Sequence, residues 1–188
     1  PLVEQLAPLG LHHLVAGGHV LRDPAAHVLE PLRREAPALA KALNDYEPNK
    51  SDEDVKWASQ TVTEMKKAGK LSDQSLIDGV WNAFAKYQPS KVGSSELTKS
   101  LATAVMTIKD PSYAPKAITK LEGPVADTPD SKMDQLMFWQ ATSIRLLREL
   151  KFGGAAKPLV KVMLMPSKAD LAGVATAALR AIPKEATD

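Results

Sequence analysis

The sequence predicts an all-α protein built from successive helix pairs, and three observations lead there. The 188-residue chain is 44% hydrophobic but only 5% aromatic, and its apolar set leans on Ala and Leu, which lose little side-chain freedom in a helix. Its apolar residues recur at i, i+3 and i+4 rather than in alternation, the mark of buried helical stripes and not of half-buried strands. Gly, Pro, Ser and Asp interrupt these stripes at short intervals, in the positions that start and stop helices.

In chain order, residues 2–16 are apolar and predicted helical, closed by Gly17-Gly18. Asp23-Pro24 starts a helix running to about Leu43, with proline in the first turn where a missing N–H does no harm. Pro31 and Pro37 are expected to kink or split it. Residues 44–50 read as a polar turn. Ser51 is expected to cap the next helix, with Asp52, Glu53 and Asp54 complementing its dipole. Val55, Ala58, Val62 and Met65 form its buried stripe, and Gly69 ends it. Ser72 reads as the following cap, ahead of Leu76, Val80, Trp81 and Phe84, with Pro89 beyond the end.

Ser95 opens a helix bearing Leu97, Leu101, Val105 and Ile108. Asp110-Pro111 turns the chain into a shorter one with Ala117, Ile118 and Leu121. Residues 123–129 form the clearest loop, and Asp130 and Ser131 then open the longest helix, which runs to about Leu150. Phe152-Gly153-Gly154 is a hinge before Leu159, Val160, Met163 and Leu164. Pro166-Ser167 ends that helix, and Ala169 to Ile182 make the last one before Pro183.

Composition divides the chain. All four histidines (His12, His13, His19, His27) lie in the first 40 residues, which hold Arg22, Arg33 and Arg34 but no lysine. From Lys41 onward there are 18 lysines and three arginines. Residues 1–43 therefore read as an N-terminal helical segment with a different history, and 51–188 as the main domain. Its helix pairs fall at about 51–87, 95–122 and 130–165, with a final helix at 168–182.

With 24 basic and 22 acidic side chains, the net charge of +2 is too even to make nucleic acid or an anionic membrane the main partner. The absence of cysteine excludes disulfides and thiolate-bound metals. No apolar run approaches the ~18 residues that span a bilayer. The chain opens on Pro1 rather than Met, as a processed product or fragment would, and reads as a soluble protein of the cytoplasm or the bacterial cell envelope.

Four helices end in a common pattern of two apolar residues three apart. These are Val62-Thr63-Glu64-Met65, Val105-Met106-Thr107-Ile108, Leu147-Arg148-Glu149-Leu150 and Leu179-Arg180-Ala181-Ile182, at intervals of 43, 42 and 32 residues. Periods of this size, one helix pair long, mark helical solenoids. A lone pair has too little apolar surface to offset its ordering entropy, and stacking supplies a continuous core.

Leu146 to Leu150, the Gly153-Gly154 turn and Ala155-Ala156-Lys157-Pro158-Leu159-Val160 together resemble a HEAT repeat. Lys109-Asp110-Pro111 followed by Pro115-Lys116-Ala117-Ile118 is a looser copy. The resemblance covers residues 51–182, is strongest over 131–182, and is to the bacterial type of the family. Gly69-Lys70-Leu71 departs from the usual hinge. The resemblance implies a short right-handed α-solenoid of three to four pairs, whose second helices line a concave face.

Candidate sites are few. The histidines lack the i, i+4 spacing of a helical zinc site. Glu30, Arg33, Arg34 and Glu35 read as a solvated face. Trp57, Trp81 and Trp139 fall on or beside apolar stripes, so core packing is the default and an exposed anchor the functional alternative. Gln140 is expected to hydrogen-bond a neighbouring helix. Lys116 and Lys120, like Lys157 and Lys161, lie one turn apart on second helices. With Trp139 they form the candidate interaction surface.

No catalytic constellation or phosphate loop is found, and no cofactor or metal is expected. The expected function is a non-enzymatic module that binds another protein. Alternatives are an enzyme on a HEAT-like fold, such as a DNA glycosylase or bilin lyase relative, and a structural segment of a larger assembly.

Overall fold

A computed structural model describes residues 35–48, 50–89, 96–123 and 136–183. The chain divides into two compact units, 1–34 and 35–188. The first lies outside the described residues, and with it the four histidines, Asp23-Pro24, Pro31, Glu30, Arg33 and Arg34. So do Ser95, Asp130 and Ser131.

Every described element is helical, and no strand occurs among the described residues. Helix α1 covers 35–44. It is followed by α2 (Asp52–Lys67), α3 (Gln74–Lys86), α4 (Glu96–Ile108), α5 (Tyr113–Glu122), α6 (Ala141–Glu149), α7 (Ala156–Leu164) and α8 (Ala172–Ala181). A π-helical turn, Leu136–Gln140, leads into α6, and a 3-10 segment, Pro166–Leu171, leads into α8. Two expectations change accordingly. The helix ending near Leu150 is not α-helical throughout, and the last helix begins at Ala172 rather than Ala169.

The helix ends show which local signals held. Gly69 has φ +69, and the N–H groups of Gly69 and Lys70 donate to the carbonyls of Lys66 and Met65. This closes α2 in a Schellman motif, for which glycine is the unstrained choice. The end of α6 repeats the motif with Lys151 at φ +50, its N–H donating to Arg148 and that of Phe152 to Leu147. The glycine pair next door forms only a 3-10 turn, Gly153–Ala155.

Two caps differ from expectation. Ser51 makes no cap bond to α2, because its hydroxyl bonds back to the Glu47 backbone. Asp73, not Ser72, caps α3, accepting the Ser75 N–H at 2.9 Å. Asp110 similarly accepts the Ser112 N–H ahead of α5.

The helices form two layers. In the first, α2 packs on α4, α4 on α6 and α6 on α8. In the second, each helix lies against the following helix of the first: α3 on α4, α5 on α6 and α7 on α8. Helix α1 meets α3 where Gly79 allows a close crossing. A Cβ there would lie 3.0 Å from Leu43 Cβ.

Burial recurs along both layers. Val55, Ala58, Ser59, Val62 and Thr63 are buried in α2, and so, 42 positions on, are Leu97, Ser100, Leu101, Ala104 and Val105 in α4. A further 42 positions bring Thr142, Ser143, Leu146 and Leu147, all buried, in α6. In the second layer Leu39 and Leu43 give way 37 positions on to Leu76 and Val80. Leu76, Ile77, Val80 and Phe84 give way in turn, 37 further on, to Tyr113, Ala114, Ala117 and Leu121. The same core positions are thus filled again in α2, α4 and α6 of the first layer and in α1, α3 and α5 of the second.

Candidate functional site

The five candidate residues separate into two groups, and the first is drawn into the contacts between helices. Lys116 reaches across from α5 to Asp78 of α3, with Nζ 2.7 Å from Oδ1. One turn later Lys120 donates to the Ala85 carbonyl at 2.8 Å, at the C-terminal end of α3. Its ammonium also lies 4.1 Å from the Trp139 ring centroid. Trp139 in turn donates its indole N–H to the Phe84 carbonyl at 3.0 Å.

The cation therefore meets two partial negative charges, a helix C-terminus and an indole face. Burial lowers the pKa of Lys120. Trp139 is half-buried against an aromatic group in which Phe84 lies 4.9 Å from Phe138 and 5.3 Å from Trp81. Of the other tryptophans, Trp81 is core, whereas Trp57 is 45% exposed on α2, contrary to the packing expected of it.

The same kind of tie recurs at two other steps, through lysines that sequence reasoning passed over. Lys86 of α3 donates to the Asn44 carbonyl at the end of α1, at 2.8 Å. Lys168, only 4% exposed, donates to the Leu121 carbonyl near the end of α5 at 2.6 Å and to Gly123 at 3.4 Å. Burial lowers its pKa, while the Glu122 carboxylate acts the other way. In each case a lysine of a later element supplies the positive charge that the last turn of an earlier second-layer helix attracts.

Gln140 meets the same end of α5, its amide N–H 3.5 Å from the Gly123 carbonyl. Its Oε1 is buried with no hydrogen-bond partner, as are the hydroxyls of Ser112 and Ser143.

Lys157 and Lys161 form the second group, on α7, and the structure does not bring them to Lys116 or Lys120. Both are exposed, and Lys161 lies 3.5 Å from Glu122 Oε1 while remaining 64% exposed. The apolar residues beside them are a correction. Leu159 and Val162 are buried, but Val160 is 44% and Leu164 77% exposed, with Met165 also exposed. Positions 157, 160, 161 and 164 lie on one helix face by their spacing, so α7 turns a mixed basic and apolar stripe outward. That spacing was visible in the sequence, but the apolar residues read there as a buried stripe.

Elsewhere, α2 and α4 flank an open polar groove of about 390 Å³, lined by residues including Gln60, Thr63, Glu64, Lys99, Ser100 and Thr103. The Gln60 amide bonds the Ser100 hydroxyl within it at 3.2 Å. No group of three or more His, Asp or Glu suited to a metal occurs among the described residues. Nor is any described helix long and apolar enough to cross a membrane. The chain matches no protein-family model, no curated protein and no solved structure.

Proposed function

We propose that residues 35–188 are a short right-handed α-solenoid of the HEAT-like kind, acting as a module that binds another protein. The recurrence of buried positions at 42 residues in the first layer and 37 in the second carries this reading. A staggered packing, in which each second-layer helix sits on the next first-layer helix, supports it. The lysine ties between successive steps add to it, because they recur where a stacked array repeats its own interface. Such arrays present extended surfaces whose common use is protein recognition.

The test is affinity capture with the full chain as bait, compared with an unrelated helical bait of similar charge. The reading expects at least one protein retained reproducibly, in near-stoichiometric amount, at physiological ionic strength of about 0.15 M. Retention of nothing beyond the control bait overturns it.

A further inference from the structure

We propose that the outward face of α7 receives an amphipathic helix with acidic flanks. The proposal rests on the interaction-module reading and names the surface and the chemistry of its partner.

The first argument is geometric. Helix α7 buries Pro158, Leu159 and Val162 against the rest of the fold. Its opposite face carries Lys157, Val160, Lys161 and Leu164 at i, i+3, i+4 and i+7, the spacing by which one helix grips another. At two earlier steps of the second layer, a later helix reaches back to the one before it. Ile77 of α3 receives the Tyr113 hydroxyl on its carbonyl at 2.6 Å, and Glu122 of α5 receives Lys161. On α7 the stripe meets solvent, and Leu164 is the most exposed large apolar side chain among the described residues.

The second argument is charge. Helix α7, Ala156–Leu164, contains two lysines and no acid. A second copy of this face, turned to meet the first, would bring lysines against lysines, and like charges at helix-neighbour distances are destabilising. A partner with Glu or Asp beside its apolar residues meets Lys157 and Lys161 with opposite charge while covering Val160 and Leu164. The terminal carbonyls of α7 add a place for one basic residue at the partner's end, by the rule that Lys86, Lys120 and Lys168 follow.

The experiment uses the full chain and two fluorescent synthetic helices of about five turns. Both carry Leu at i, i+3, i+4 and i+7. One has Glu on the flanks and the other Lys. Fluorescence anisotropy is expected to show the acidic helix binding at least about tenfold tighter than the basic one, a preference that shrinks as salt is raised.

In the Lys157→Glu, Lys161→Glu double variant the preference should invert, which also shows that the variant still folds. Leu164→Asp should abolish binding of either helix. Equal binding of the two helices, binding of neither, or binding indifferent to Leu164→Asp overturns the proposal. So does attachment of the chain to phosphatidylserine vesicles in place of the acidic helix, which would make the stripe a lipid-facing surface. If the peptides fail while affinity capture still retains a partner, the interaction module stands and only the role of α7 falls.

Discussion

The Tyr113 hydroxyl gives the structure a pH signature that can be worked out in advance. Tyr113 is fully buried, packs its ring 5.1 Å from Trp81 and donates its O–H to the Ile77 carbonyl at 2.6 Å. Burial raises its pKa, and the nearby charges of Asp110 and Asp78 raise it further. In the unfolded chain the phenol titrates near its ordinary value of about 10. Below pH 10 both states keep the proton. Above it only the unfolded state releases it, so stability falls as pH rises. At pH 11 that release favours the unfolded chain by about 1.4 kcal/mol.

Replacing Tyr113 with Phe removes both the hydrogen bond and the titration. At neutral pH the variant should be less stable by about 1 kcal/mol, the usual worth of one such bond. By about pH 11 the wild type should have lost that advantage, and the two stability curves should meet or cross. Urea unfolding followed by circular dichroism, from neutral pH to about 11, measures both. Lys120 and Lys168, whose lowered pKa values make stability rise with pH on approaching 10.5, contribute equally to both proteins and cancel in the difference. Tyr46, whose pKa is also raised by burial and by its bond to Asp52, cancels likewise. Curves that stay parallel over the whole range would refute the reasoning.

Other expectations concern packing. Gly79→Ala should destabilise by about 1–2 kcal/mol despite alanine's helix preference, since the new methyl presses on Leu43 Cβ, which is fixed to the α1 backbone. Gly173→Ala, with nothing within 4 Å, should instead stabilise by about 0.5–1 kcal/mol, and thermal melts compare the pair. Trp139→Phe should cost about 1–2 kcal/mol by losing the bond to Phe84 and weakening the contact with Lys120. A double-mutant cycle with Lys120→Met should then be non-additive. Lys151→Gly relieves a left-handed residue at the end of α6 and should add about 0.5–1 kcal/mol, read by urea midpoint.

The helices themselves were legible because buried stripes impose a 3.6-residue period on any helix that must face a core. Their capping was less so. Ser51 and Asp73 both flank helix starts, but Asp73 sits in an extended conformation (φ −80, ψ 112) while Ser51 does not (φ −126, ψ 28). Only backbone geometry decides between them.

The 37-residue step of the second layer is not legible in the sequence because one position is filled by Leu39, Leu76 and Tyr113 in turn, a set that shares burial but not chemistry. Lys116 and Lys120 could be placed on one helix, yet their partners on α3 lie 38 and 35 residues away, beyond any local signal. Nothing local in the sequence marks Lys168, two residues after Pro166, as buried. Its burial comes from carbonyls contributed 45 or more residues earlier.

The π turn at Leu136–Gln140 bears on how this chain can tolerate a change in length. A turn closed by i→i+5 bonds holds one residue more than an α turn, and such turns occur as local bulges within α-helices. Here the extra residue is carried in helical backbone rather than in a loop. Met137, exposed within the turn, is the position best placed to be dropped. Its loss would convert the π turn to an α turn and leave Leu136 and Gln140, both buried, on nearly the same sides of the helix. A helical span such as this one, and not loops alone, can therefore absorb a one-residue change in length while keeping the register of the core beyond it.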